Sequence, residues 1–143
     1  MASALREAPE FDVQNIQAAQ TYDLRERVLW PGRPDMCRLP GDEGALHLGA
    51  VRGDQVLGVI SVFLPEEAGG RAQFRKFAVD PELQGCGIGS SLLGSATVAA
   101  CKAGAGVLYC HARAHQQDFY TRRGFWVVGE AFYKYRGGYL LGK

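Results

Sequence analysis

The sequence has no run approaching the roughly 18 apolar residues that a membrane-spanning helix needs. Its start, Met1-Ala2-Ser3-Ala4-Leu5-Arg6-Glu7, has no apolar stretch behind a basic beginning. Neither secretion nor membrane insertion is expected, and a cytoplasmic location follows. Cysteine is sparse: Cys37, Cys86, Cys101 and Cys110 form no Cys-x-x-Cys pair, so the usual spacings of a structural zinc site or redox disulfide are missing. Histidine is sparser still, and His47, His111 and His115 match no metal-ligating spacing with one another or with acids. No metal is expected. An excess of one charge is lacking too, since 16 basic against 15 acidic residues leave a formal net charge of +1. That is too little to draw in nucleic acid or an anionic membrane. Repeats, low-complexity tracts and composition-marked linkers are also absent.

What is present is globular. A chain of 143 residues fits one domain, taken as residues 1–143. Such a chain can bury about two thirds of its unfolded surface, and apolar and charged fractions of 47% and 22% supply an ordinary core and surface. Glycine is the exception, with 19 residues against a usual ~7%.

Residues 3–7 read as a first strand. From Asp12 as N-cap, Val13, Ile16, Ala19, Leu24, Val28 and Leu29 predict two helical stretches or one bent helix, stopped at Trp30-Pro31-Gly32. On that helix Arg25-Glu26-Arg27 reads as a solvated face. Residues 31–45, rich in Gly, Pro and charge, form a long loop of the kind that often carries function. Leu46–Arg52 and Gln55–Leu64 read as a hairpin across Gly53-Asp54, and Ala72–Val79 as a third strand, giving an antiparallel meander. Ile88, Leu92, Leu93, Ala96, Ala99, Ala100 and Ala103 then recur at helical spacing, with Lys102 at the negative end and Gly104 at C′. Val107–His111 reads as a short buried strand, 116–123 as a short helix ended by Gly124, and 126–132 as a last strand. This succession is βαβ grammar, so the chain is a mixed α/β protein with a partly parallel sheet.

The densest glycine cluster, Gln84-Gly85-Cys86-Gly87-Ile88-Gly89-Ser90, falls where the third strand hands over to the long helix. Missing side chains there let backbone N–H groups approach a ligand from the helix N-terminus, a phosphate cradle in character. It is not a P-loop, because Gly89-Ser90-Ser91 lacks lysine, and its Gly-x-Gly-x-Gly spacing is not the Rossmann fingerprint.

Gln84-Gly85-Cys86-Gly87-Ile88-Gly89 resembles the Gln/Arg-x-x-Gly-x-Gly/Ala acyl-CoA signature of the GNAT superfamily of N-acetyltransferases, behind an Ala78-Val79-Asp80-Pro81 strand end found in many members. Phe119-Tyr120 followed by Gly124-Phe125 is similar to the family's second hallmark. The resemblance implies a GNAT-like acyl-CoA N-acyltransferase fold, with an antiparallel N-terminal meander, splayed central strands and a βαβ C-terminal half. It implies transfer of an acetyl group from acetyl-CoA to a primary amine of a small molecule or peptide, by direct attack through a tetrahedral intermediate. The amides of Gln84, Gly85, Cys86, Gly87, Ile88, Gly89 and Ser90 would then hold the CoA pyrophosphate. The strand edge at Phe77, Ala78 and Val79 would pair with pantetheine, and Tyr120 would stand at the thioester sulfur. A non-catalytic acyl-CoA-binding or sensor module of the same fold is the alternative, and both monomer and homodimer are compatible.

Other residues read more plainly. Cys86 is a loop filler, Cys37, Cys101 and Cys110 are buried or spectator residues, His47 is structural and His115 a cap or surface residue. Arg122 or Arg123 either faces solvent or meets the 3′-phosphate or adenine side of the cofactor. Some histone-type relatives carry a glutamate 11 positions before the motif's first Gln, where this sequence has Gln73, which cannot act as a base. His111, Asp42, Glu43 or ordered water remain for that role, and the acidic Gly41-Asp42-Glu43-Gly44 loop would attract a cationic amine.

Overall fold

The computed structural model describes residues 10–112, 114–129 and 131–135, without the side chains of 114 and 135. The strand expected at 3–7 lies outside the described residues. The strands are β1 (Asp12–Ile16), β2 (Leu46–Arg52), β3 (Gln55–Phe63), β4 (Arg71–Val79), β5 (Val107–His111), β6 (Trp126–Val128) and β7 (Ala131–Tyr135). They form one sheet in the order β1-β2-β3-β4-β5-β7-β6. The meander is antiparallel from β1 through β4, and β4 and β5 run parallel. The crossover between those two is α2 (Ile88–Lys102), as the βαβ pattern requires.

Asp12 does not cap a helix. It opens β1, whose half-buried residues Val13 and Ile16 sit three apart and so imitate a helical period on an edge strand. Helix starts only at Ala18–Thr21, a 3₁₀ turn, followed by the single turn α1 (Tyr22–Leu24) and a π-helical turn at Arg25–Leu29. The strand expected over 126–132 is two, β6 and β7, folded back on each other beside Gly129 at φ +61°.

The core has two parts because β4 alternates. Phe77 and Val79 belong with the large cluster under α2, which includes Leu57, Ile60, Val62, Phe74, Ile88, Leu92, Leu93 and Ala96. Ala78, between them, belongs with Leu24 and Val59 under the N-terminal helical segment, so the sheet is covered on opposite faces. Gly58 allows the close approach of α2: a Cβ there would meet Ile88 Cγ2 and Leu92 Cδ1, each at 2.9 Å. The C-terminus of α2 is a Schellman cap, with Gly104 at φ +85° donating to Cys101 O and Ala105 to Ala100 O, both at 3.0 Å.

The expected solvated face at Arg25-Glu26-Arg27 fails at Arg25, which is fully buried. Its guanidinium grips both oxygens of Asp42 at 2.8 and 3.1 Å, and also donates to Cys37 O at 2.6 Å and Ser61 Oγ at 2.9 Å. His47 completes the network, bonding Ser61 Oγ through Nδ1 and the Asp42 carbonyl through Nε2, both at 2.7 Å. A carbonyl only accepts, so Nε2 carries the proton. Buried charge is tolerated when paired and hydrogen-bonded, and this cluster ties the 31–45 loop to β3.

Candidate active site

The turn into α2 has the backbone its glycines suggested. Gly85 and Gly87 sit at φ +83° and +87°, and a Cβ on either would project into space with no atom within 4 Å. Gly87 is the N-cap of α2, a helix of 15 residues, and having no side chain it makes no cap hydrogen bond to the first N–H groups. Those amides and the positive end of the dipole face an open hollow, the geometry of an anion site. Arg123 adds fixed charge: its guanidinium lies 3.8 Å from the Phe119 ring centroid and donates twice to Ser90 Oγ, at 3.0 and 2.6 Å. Of the two arginines left open by sequence, Arg123 turns inward and Arg122 is exposed.

The neighbouring strands part here. The β4–β5 ladder covers only Arg71–Gln73 opposite Val107–Tyr109, so from Phe74 to Val79 that side of β4 has no partner on β5. On its other side β4 carries a bulge in which Lys76 and Phe77 together oppose Ile60. Lys76 takes φ +53°, the one non-glycine residue at positive φ among the described residues. Left-handed backbone costs an L-residue roughly 1–2 kcal/mol, and such outliers gather at functional sites. Nothing in the residue type announces it.

Two cavities meet at this gap. One, of about 730 Å³, is lined by Phe77, Ala78, Val79, Gln84, Gly85, Gly87, Gly89 and Ser90, with Arg123 and Tyr120. Thus most residues assigned to cofactor binding line one hollow. Cys86 and Ile88 are not in its lining, and the Ile88 side chain is core, so either could contribute only backbone. The other cavity, of about 880 Å³, is lined by Trp30, Lys76, Phe77, His111, His115 and Tyr120 among others. Tyr120 lines both.

The Tyr120 ring is packed in an aromatic cluster, 5.1 Å from Phe132 and 5.6 Å from Phe125 between centroids. Burial, then the adjacent Cys110 thiol, push its hydroxyl well above the ordinary tyrosine range. Burial also pushes the Cys110 thiol up to about 12, against a hydrogen bond from Tyr120 that lowers it. Both groups stay protonated, so the tyrosine is a hydrogen-bond donor and Cys110 is no nucleophile.

Two expectations for the base are corrected. Burial alone would raise the Asp42 carboxyl, but hydrogen bonds from Arg25 and the Leu39 N–H, with the Arg25 charge, hold it below the usual range. Its proton affinity is spent on Arg25, and it lines neither cavity. Glu43 lines neither as well, so the acidic loop does not present charge to an acceptor. His111 does line the second cavity. His115, read as a cap or surface residue, lines both, and only the closure of the chain around the gap reveals it. Gln73 accepts from the Tyr109 hydroxyl at 3.3 Å.

The comparisons agree with this geometry. The family model for the acetyltransferase (GNAT) domain matches residues 43–127. A Bacillus subtilis (strain 168) protein named uncharacterized N-acetyltransferase YitI is 26% identical over 129 residues, covering 85% of this chain and 86% of the relative. The solved structure of a GNAT family acetyltransferase from Brucella melitensis in complex with acetyl-CoA superposes with a TM-score of 0.71 at 22% identity, over 90% of this chain and 89% of that one. Escherichia coli ElaA superposes with a TM-score of 0.70 at 16% identity, over 87% and 99%. At such identities the structures establish the fold, an acyl-CoA N-acyltransferase mixed sheet. The family model spans more than half of the sequence, and on that ground the chain belongs to the GNAT family of acetyltransferases.

Proposed function

We propose that this chain is a single N-acetyltransferase domain that binds acetyl-CoA along the glycine turn and passes its acetyl group to a primary amine entering from the second cavity. The observation that carries the reading is the gap between β4 and β5, where the two hollows meet at Tyr120. The residues present fit the cofactor: an open cradle of positive-φ glycines at a helix N-terminus, a cation at its rim, and an unpaired strand edge beside it.

When bound, acetyl-CoA supplies an acyl thioester. The N–H groups from Gln84 to Ser90, with Arg123, hold its diphosphate, and the edge at Phe77, Ala78 and Val79 offers main-chain groups to the amide-bearing arm, as in β-strand addition. Tyr120, whose single O–H is otherwise donated to the Cys110 thiol, would turn that hydrogen bond toward the departing sulfur without surrendering its proton outright. A main-chain N–H of the bulged segment polarises the carbonyl oxygen. The acceptor must first lose a proton: an alkylamine of pKa near 10.4 is neutral to about one part in 2,500 at pH 7, a cost of about 4.6 kcal/mol. The imidazoles on the wall, His111 and His115, accept that proton directly or through water.

Isothermal titration with acetyl-CoA tests the reading. Saturable binding that is lost with a bulky acid at Gly87 is the expected result. Failure to bind at millimolar ligand removes it.

A further inference from the structure

Among the described residues, four ionisable nitrogen-bearing side chains line the second cavity, Arg75, Lys76, His111 and His115, and no carboxylate does. The two acids that sequence reasoning placed near an acceptor are not there: Asp42 is consumed by Arg25, and Glu43 is outside the lining. Lys76 is held in place rather than swinging in solvent. Its Nζ donates to Met36 O at 3.1 Å and lies 5.3 Å from the Trp30 ring centroid. Among the described residues neither Lys76 nor Arg75 makes an ion pair. An ammonium with one of three donors used has two left for a ligand. Burial, then Arg75 and the buried Arg25, lower the Lys76 pKa, the mark of a cation short of negative charge.

From this wall we infer that the acceptor is an amine that also carries a carboxylate, with Lys76 as the group that receives it and Arg75 beside it. A polyamine or a lysine-rich peptide would bring further positive charge to a wall already positive, and like charges in a partly dehydrated cavity repel. An amino acid or other small aminocarboxylate brings the missing charge, and its apolar body meets Trp30 and Phe77. This rests on the acetyltransferase reading above.

The test uses the whole protein saturated with acetyl-CoA, whose binding is first measured alone by titration. Initial rates are followed as thiol release with matched acceptors: α-amino acids and 5-aminopentanoate, each against its carboxamide, with spermidine as the polycation. The ω-amino pair keeps the two amine pKa values close. We expect kcat/KM for the carboxylates to exceed that for the carboxamides by at least about 10-fold, or about 1.4 kcal/mol. Lys76→Gln should raise KM for 5-aminopentanoate about 10-fold with kcat changed less than about 3-fold, and Lys76→Arg should restore most of the loss. Equal rates for acid and amide, a preference for spermidine, or no acetylated aminocarboxylate despite intact acetyl-CoA binding each overturn the proposal and leave the cofactor reading standing. Absence of acetyl-CoA binding overturns both.

Discussion

At the scale of the residue, Tyr120 shows how burial selects a chemical role. A free phenol of pKa near 10 would protonate a thiolate of pKa near 8.5 uphill by about 2 kcal/mol, and burial makes that climb steeper. What it keeps is an O–H, hydrogen-bonded to Cys110, on a residue that lines both cavities. Tyr120→Phe is therefore expected to slow acetyl transfer about 10- to 100-fold while acetyl-CoA affinity changes less than about 3-fold, read by steady-state rates and titration. Unchanged turnover would strip the hydroxyl of its role. Gly87 makes a different point. Its φ of +87° strains any L-residue, yet its Cβ direction is open, so a side chain there fills the cradle rather than the core. Gly87→Glu should weaken acetyl-CoA binding at least about 100-fold, since it sets a negative charge where a diphosphate belongs. Circular dichroism should show the fold kept, with a stability loss near the roughly 1–2 kcal/mol of left-handed strain.

At the scale of the element, the decisive piece is the loop between the N-terminal helical segment and β2. Its path is set by Arg25 reaching back to Cys37 O and Asp42, 12 and 17 residues along the chain. Removing one partner of a buried ion pair strands the other charge, at about 3–5 kcal/mol. Asp42→Asn should cost that much in urea unfolding, whereas the double replacement Arg25→Met with Asp42→Leu should cost less than the single one. A larger loss in the double variant would mean the pair itself stabilises the fold. The same scale shows where sequence was readable. The bounds of β2 and β5 follow from apolar runs closed by turn residues, and the end of α2 from Gly104. The misread elements are those whose pattern misleads: β1, an edge strand with inward residues three apart, and the 126–132 run, where Gly129-Glu130 divides two short apolar stretches.

At the scale of the whole molecule, ligand and pH act on one folding equilibrium. Acetyl-CoA at about 100 times its Kd should add about 2.7 kcal/mol, raising Tm by roughly 10 °C for a chain of this size. A scanning-fluorimetry experiment with no shift would count against the cradle. For pH the two ends have separate causes. The Asp42 carboxyl is held low in the folded state, so its contribution is present above the ordinary aspartate value of about 3.9 and is lost as pH falls below it. The Tyr120 hydroxyl is held high, so its contribution is present below about pH 10 and is lost as pH rises beyond it. Urea midpoints measured across pH should fall at both ends, and Asp42→Asn should flatten the acid limb.

By itself the sequence determined what depends on near neighbours: the meander, the long helix with its Gly104 stop, and the glycine turn that opens its N-terminus. Those follow from backbone sterics and side-chain period, which are local. Only the tertiary structure decided that Arg25 is core, that Asp42 is its counterion, that Lys76 turns left-handed over Ile60, and that His115 and Tyr120 share a wall. Each of these depends on which distant atoms the packed sheet brings within hydrogen-bonding reach, and no spacing along the chain encodes that.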